Sequence, residues 1–188
     1  MTLAREMALE SEYVMGTFAR KPVEFVEGHG MTLIDDAGNE YLDFLSGIGV
    51  CSLGHCHPSI VQAVSDQAAK LIHVSNYYYI EHRGEVAQLL SNMLNAYVDE
   101  PSPETWKTFF ANSGAEANEC AIKLARLYAR RRTEAAGKDA ELAPRLIVTL
   151  AKSFHGRTLA TLAATAPPAK QEAFQPLPAG FTATPIND

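Results

Sequence analysis

This sequence predicts an α/β fold built around a parallel sheet, on three observations. Trp106–Ala111 reads as an apolar strand, a helix-period stretch follows over about Ala115–Arg132, and a second apolar run spans Arg145–Ala151. Strand, helix and strand at that spacing make a βαβ unit, whose crossover leaves the two strands parallel. Upstream, "PVEFVEGHGMTLIDDAGNEYLDFLSG" alternates apolar and polar residues about two turn signals. Two or three short antiparallel strands fit that alternation. The composition bounds the chain as ordinary globular protein: 188 residues, 47% hydrophobic and 20% charged, enough for one core or for a piece of something larger.

Each element has a local cause. Residues 2–18 read as an amphipathic helix ending near Gly16. Gly28-His29-Gly30 and Asp36-Ala37-Gly38 mark the reversals between the antiparallel strands. Pro58 suits a helix start, and Ile60, Val61, Val64, Ala68 and Leu71 continue from it at helical spacing. Val86, Leu89, Leu90, Met93, Leu94 and Tyr97 repeat that spacing in a second helix. "TEAAGKDAELAP" is a polar connection to the second parallel strand, Gly156–Ala164 reads as helical, and from Ala166 the chain is Pro-rich and irregular. Residues 1–57 thus divide as an N-terminal helix and small antiparallel segment, and 58–188 as the first part of a larger sheet domain. A two-stranded parallel sheet leaves long unpaired edges, so that domain is expected to continue.

Charge and cysteine usage narrow the function classes. A net charge of −6 argues against a nucleic-acid partner. The cluster Arg126, Arg130, Arg131 and Arg132 falls late in a predicted helix, where cations complement the helix dipole. Residues 1–20 lack the apolar segment of a signal peptide, and no run approaches the ~18 apolar residues of a membrane span, so no membrane partner is expected. Three cysteines suggest no disulfide framework, which points to a cytoplasmic location. Cys51, His55, Cys56 and His57 match no usual zinc spacing; the stretch reads as a turn into the helix at Pro58, and no metal is expected.

Two constellations carry the chemistry. In "FFANSGAEANECAIKLAR", Ser113 and Glu116 have the spacing of a capping box, with the Glu116 carboxylate expected to reach back to the Ser113 N–H. A cap explains Ser and Glu; it does not explain Gly114, which is unfavourable in a helix by about 1 kcal/mol relative to Ala. Gly114 and Ala115 leave the helix N-terminus bare enough for a phosphate to approach its free N–H groups. Small residues there also ease packing, so both readings stand. "SFHGRTLAT" follows the second strand and is expected at the same carboxyl edge of the sheet, where ligands of open α/β sheets bind. Phe154 and His155 offer flat faces for an aromatic ring, or core packing; Arg157 offers a planar fork for a carboxylate, or a surface charge.

Four stretches in order, "YLDFLSGIGVCSLGHCHP", "HVSNYYY", "FFANSGAEANECAIKLAR" and "SFHGRT", closely resemble the class III (fold-type I) pyridoxal-phosphate-dependent aminotransferases, over about Phe18 to Asp188. The nearest branch is that of the acetylornithine aminotransferases. The resemblance implies the N-terminal part of a fold-type I transferase: short antiparallel strands, then the first part of a doubly wound, mainly parallel sheet. It implies pyridoxal 5'-phosphate as cofactor, amino acids and 2-oxo acids as substrates, and a homodimer with active sites at the subunit interface. By that resemblance Ser113, Gly114 and Ala115 hold the cofactor phosphate, and Phe154 stacks on the pyridine ring with His155 beside it. Arg157 binds a substrate carboxylate, Gly47 and Ile48 line the substrate side, and Asn76 and Tyr77 fall in an interface segment. Phe18 stands where the family often has a tyrosine that hydrogen-bonds substrate.

Ile48 and His155 favour the acetylornithine branch, since ornithine δ-aminotransferases tend to carry Tyr and Trp there. The implied reaction moves the side-chain amino group of N-acetylornithine to 2-oxoglutarate, in arginine biosynthesis. Succinylornithine, succinyl-diaminopimelate, ornithine and 4-aminobutyrate are the alternative donors. The family's Schiff-base lysine lies further downstream than this chain extends, so no catalytic residue is assigned and the 188 residues alone are expected to be inactive. Lys152, beside Phe154, reads as an edge residue rather than as that lysine.

Overall fold

The computed structural model describes residues 2–98 and 105–187, which divide into two compact units, Met1–Ile80 and Glu81–Asp188. The first opens with helix α1 (Leu3–Tyr13) and a three-stranded antiparallel meander, β1 (Phe25–His29), β2 (Thr32–Asp35) and β3 (Glu40–Leu42), in the order β1-β2-β3. A one-turn helix, α2 (Ser46–Gly49), and helix α3 (Pro58–Lys70) complete it. The helix α1 stops at Tyr13, short of Gly16, because Val14 is already extended. His29 is the last residue of β1 rather than part of a turn; the reversal falls on Gly30, with φ +54°, and Met31.

Asp35 organises the second hairpin. Its carboxylate accepts from the N–H groups of Ala37 (3.0 Å) and Asn39 (2.8 Å), from Asn39 Nδ2 (2.9 Å) and from Tyr41 Oη (2.9 Å). The Asn39 side chain is the main influence holding the Asp35 carboxyl below its usual range, and the same carboxylate raises the Tyr41 hydroxyl above its own. Gly30 and His55 exchange two backbone hydrogen bonds, of 2.9 and 2.8 Å, which tie the meander to the lead-in of α3. At Gly54, with φ +85°, a Cβ would stand 2.9 Å from the Gly30 carbonyl oxygen. Pro58 is the first residue of α3, the place where its missing N–H costs nothing.

The second unit contains α4 (Arg83–Ala96), α5 (Gly114–Ala135), β4 (Ile147–Leu150), α6 (Leu159–Ala164), α7 (Pro168–Gln171) and β5 (Phe181–Thr184). Here the sequence expectation needs correction. The parallel partner of β4 is β5, paired from Ile147↔Phe181 to Leu150↔Thr184. Residues 105–111 carry no strand ladder; Trp106 instead donates from Nε1 to Asn95 Oδ1 of α4 at 2.8 Å. An apolar run makes a strand only where a neighbour supplies its hydrogen bonds, and β5, in the stretch read as irregular, is what meets β4. Arg126 belongs to that junction: it donates to the Ala179 carbonyl at 3.0 Å and lies 5.3 Å over the Phe181 ring. Arg130 pairs with Glu134 at 2.9 Å.

The chain exposes 15405 Å². Two separate globular bodies sharing 20.5 kDa equally would expose about 11,000 Å². Apolar helix faces contribute to the excess: Ile60, Val61 and Val64 of α3 and Leu89, Leu90, Met93 and Leu94 of α4 are all exposed. Among the described residues the buried apolar side chains are Ile122, Ala143, Leu162 and Ala164, all in the second unit. The core therefore sits where α5 and α6 pack.

Candidate functional site

The turn before α5 is built by its own side chains. Ser113 is the N-cap in extended conformation, and its Oγ accepts from the Glu116 N–H at 3.2 Å. The reciprocal contact differs from the expected box: the Glu116 carboxylate accepts from the Asn112 N–H at 2.7 Å, one residue earlier than Ser113. The N–H groups of Gly114 and Ala115, orphans at any helix start, lie outside both contacts and have no partner among the described residues. Nothing lies within 4 Å of where a Gly114 Cβ would be, so the space in front of these donors is empty. Two free N–H groups at the positive end of a 22-residue helix, beside a serine hydroxyl, are a donor set that could hold an anion.

The loop after β4 meets this turn. Lys152, at φ +65°, makes the reversal and is exposed. Ser153 Oγ donates to the Leu150 carbonyl at 2.5 Å and lies 3.4 Å from His155 Nδ1. Gly156, at φ +131°, presses on the Ser113–Ala115 turn: a Cβ there would lie 2.7 Å from Ala115 Cβ. Phe154 is 63% exposed. Arg157 is also exposed and takes part in an interaction of its own. Helix α6 begins only at Leu159, because Gly156 is far from helical geometry and Thr158 is the extended N-cap.

Ser113, Gly114, Ala115, Phe154, His155 and Arg157 are thus gathered in one corner of the second unit. Gly47, Ile48, Phe18 and Asn76 belong to the first. Gly47 and Ile48 sit in α2 with left-handed dihedrals, φ +61° each, and Ile48 is 91% exposed. Asp43 holds that turn: its carboxylate accepts from the N–H groups of Leu45 (2.8 Å) and Ser46 (2.9 Å) and meets His55 Nε2 at 2.7 Å. The His55 contact, then the two N–H groups, hold the Asp43 carboxyl below its usual range. Phe18 lines a cleft of about 550 Å³ with Met7, Val14 and Phe25. Asn76 lies in an exposed turn.

Sequence reasoning missed the residues that join the corner together. Asn118 Nδ2 donates to the His155 carbonyl at 2.8 Å, and Thr158 Oγ1 donates to Glu119 Oε1. Buried Thr165 accepts from the His155 N–H at 3.0 Å. The available signal was Asn118 itself, since asparagine is a poor helix-interior residue without a specific partner.

Comparisons with known proteins bear on the family and the fold. The family described as aminotransferase class-III matches residues 17–188. The acetylornithine aminotransferase of Nitrosomonas europaea is 47% identical over 94% of this chain and 40% of its own length. That of a Synechocystis strain is 48% identical over 94% of this chain and 38% of its own. The ornithine aminotransferase of Toxoplasma gondii, in a structure with partial occupancy of PLP at its active site, superposes with a TM-score of 0.82. It is 28% identical, covering 100% of this chain and 41% of that one. The chain therefore spans about two fifths of the length of the curated relatives it matches.

Proposed function

The chain belongs to the aminotransferase class-III family, and from that premise we propose that the full-length protein moves the side-chain amino group of N-acetylornithine to 2-oxoglutarate with pyridoxal 5'-phosphate. The reaction places it in arginine biosynthesis, in the cytoplasm. When bound, the cofactor supplies the electron sink for bond cleavage at the carbon bearing the amino group. The residues of this chain bind and orient. Ser113 Oγ and the N–H groups of Gly114 and Ala115 take the phosphate, Phe154 stacks on the ring, and His155 flanks it. Arg157 grips a substrate carboxylate, Gly47 and Ile48 line the substrate side, and Phe18 contributes an apolar contact. Asn76 and Tyr77 lie at a homodimer interface. The observation that carries the reading is the pair of unpartnered N–H groups at the start of α5 in the same corner as the bare Phe154 ring.

The activity is that of the whole protein. Lys152 is a turn residue; on this reading it is not the family's cofactor-linking lysine, and the 188 residues by themselves hold no covalent cofactor. Incubation with pyridoxal phosphate followed by borohydride should leave Lys152 unlabelled; stoichiometric labelling there would reverse that statement.

The test of the whole proposal is single-turnover absorbance on the full-length protein, adding N-acetylornithine and then 2-oxoglutarate. Both half-reactions should proceed, with lower kcat/KM for ornithine and 4-aminobutyrate. A protein that binds the cofactor but reacts only with 4-aminobutyrate would sink the substrate assignment. Arg157→Lys should bind cofactor normally and lose roughly ten- to a hundred-fold in substrate affinity, because a point charge cannot reproduce the bidentate grip. Lost cofactor with unchanged substrate affinity would assign Arg157 to the phosphate instead.

A further inference from the structure

About one turn beyond the phosphate turn, two side chains of α5 reach residues nearly forty positions away. Asn118 Nδ2 donates to the His155 carbonyl at 2.8 Å, and Glu119 Oε1 accepts from Thr158 Oγ1 at 2.5 Å. Between these contacts Gly156 lies so close to Ala115 that a Cβ would stand 2.7 Å from its Cβ and 3.0 Å from its Cα. Thr165 takes the His155 N–H from the α6 side at 3.0 Å. The backbone of His155 is therefore fixed at both its amide and its carbonyl, while the neighbouring Phe154 ring stays bare. The Ser113 cap of α5 is made without these contacts, by the Glu116 N–H alone.

We propose that Asn118 and Glu119 are positioning residues that set the distance and tilt between the phosphate turn and the Phe154 platform. The inference rests on the pyridoxal-phosphate reading above. One ligand gripped at two ends, by a helix terminus and by a loop from another strand, is oriented only if the two grips keep a constant separation. A preorganised pair also removes the ordering that binding would otherwise require. The two α5 side chains supply that constancy from behind, touching the loop and not the ligand.

The test uses the full-length protein with pyridoxal phosphate. It reads cofactor affinity by equilibrium dialysis and ring orientation by visible circular dichroism of the bound cofactor, with the melting temperature of the cofactor-free protein as the structural control. Asn118→Asp keeps side-chain size and loses the donor; Thr158→Val does the same at the other contact. Each should weaken affinity about three- to tenfold, the range of a single hydrogen bond, and alter the dichroism. Glu119→Gln keeps an acceptor for the Thr158 hydroxyl and should retain the wild-type band. Thr158→Val, at an exposed loop position, carries the test if Asn118→Asp does not fold. Variants that lower the melting temperature but leave affinity and dichroism unchanged would make these contacts structural only and overturn the inference. A wild-type protein that binds no pyridoxal phosphate would instead overturn the cofactor reading on which the inference stands, so the two failures are told apart.

Discussion

Two small-residue turns, Ser46–Gly49 in the first unit and Asn112–Ala115 in the second, use similar residues for opposite ends. In the first, four successive residues hold positive φ: Ser46 at 52°, Gly47 at 61°, Ile48 at 61° and Gly49 at 81°. Left-handed backbone costs an L-residue about 1–2 kcal/mol, and a β-branched side chain there is an outlier. Asp43 and His55 offset that strain. In the second turn Gly114 is helical and nothing surrounds its missing side chain. Glycine serves the backbone at 47 and 49; at 114 it serves empty space. Strain carried by an exposed side chain has no packing to compensate it, which supports a ligand-facing role for Ile48.

The comparison can be broken most sharply at Gly54, which locks the first unit's loop against Gly30. The atoms a Gly54→Ala methyl would meet, 2.9 Å and 3.0 Å away, are Gly30 backbone and cannot rotate aside. With the left-handed φ added, the substitution should destabilise the protein by roughly 2–4 kcal/mol in urea unfolding. A loss below about 1 kcal/mol would mean that this loop yields easily and that the strain at Ile48 is not held by it.

Acid should separate the units as well. Asp43 and Asp35 both titrate below the ordinary aspartate value of about 3.9, held down chiefly by His55 and by the Asn39 side chain respectively. A depressed carboxyl contributes stability that is complete above the unfolded-state value and is lost as pH falls through the folded-state one. The first unit should therefore loosen in acid, as pH falls below about 4, and Asp35→Asn with Asp43→Asn should flatten that response. Far-ultraviolet dichroism across the range decides it; superimposable curves for wild type and double variant would remove these carboxylates from the account.

Smaller effects sharpen the contrast. Ile48→Gly removes a strained side chain that buries almost nothing, and should stabilise the fold by about 1 kcal/mol while weakening substrate binding. Destabilisation on calorimetry would show that the left-handed turn is not strained at Ile48. Smallest is Gly114→Ala, where an open helical position should gain about 0.5 kcal/mol of helix stability and lose cofactor affinity. If both stability and dialysis-measured affinity rose together, the empty space at Gly114 would have no ligand to serve.

The sequence by itself determined what short-range chemistry governs. Ser113 and Glu116 announce the start of α5, Pro58 announces α3, and the alternation before Leu42 announces a meander, because caps, prolines and side-chain period act within one or two turns of chain. The family motifs marked Ser113, Phe154 and Arg157, and the backbone brought their two segments into one corner. Only the tertiary structure decided the rest. It paired β4 with β5 instead of residues 105–111, moved the Glu116 carboxylate to Asn112, and joined Asn118 to His155 across 37 residues. A ladder or a long-range hydrogen bond depends on which segments meet. That is settled by the competition of all segments for the same neighbours, and no local pattern encodes it.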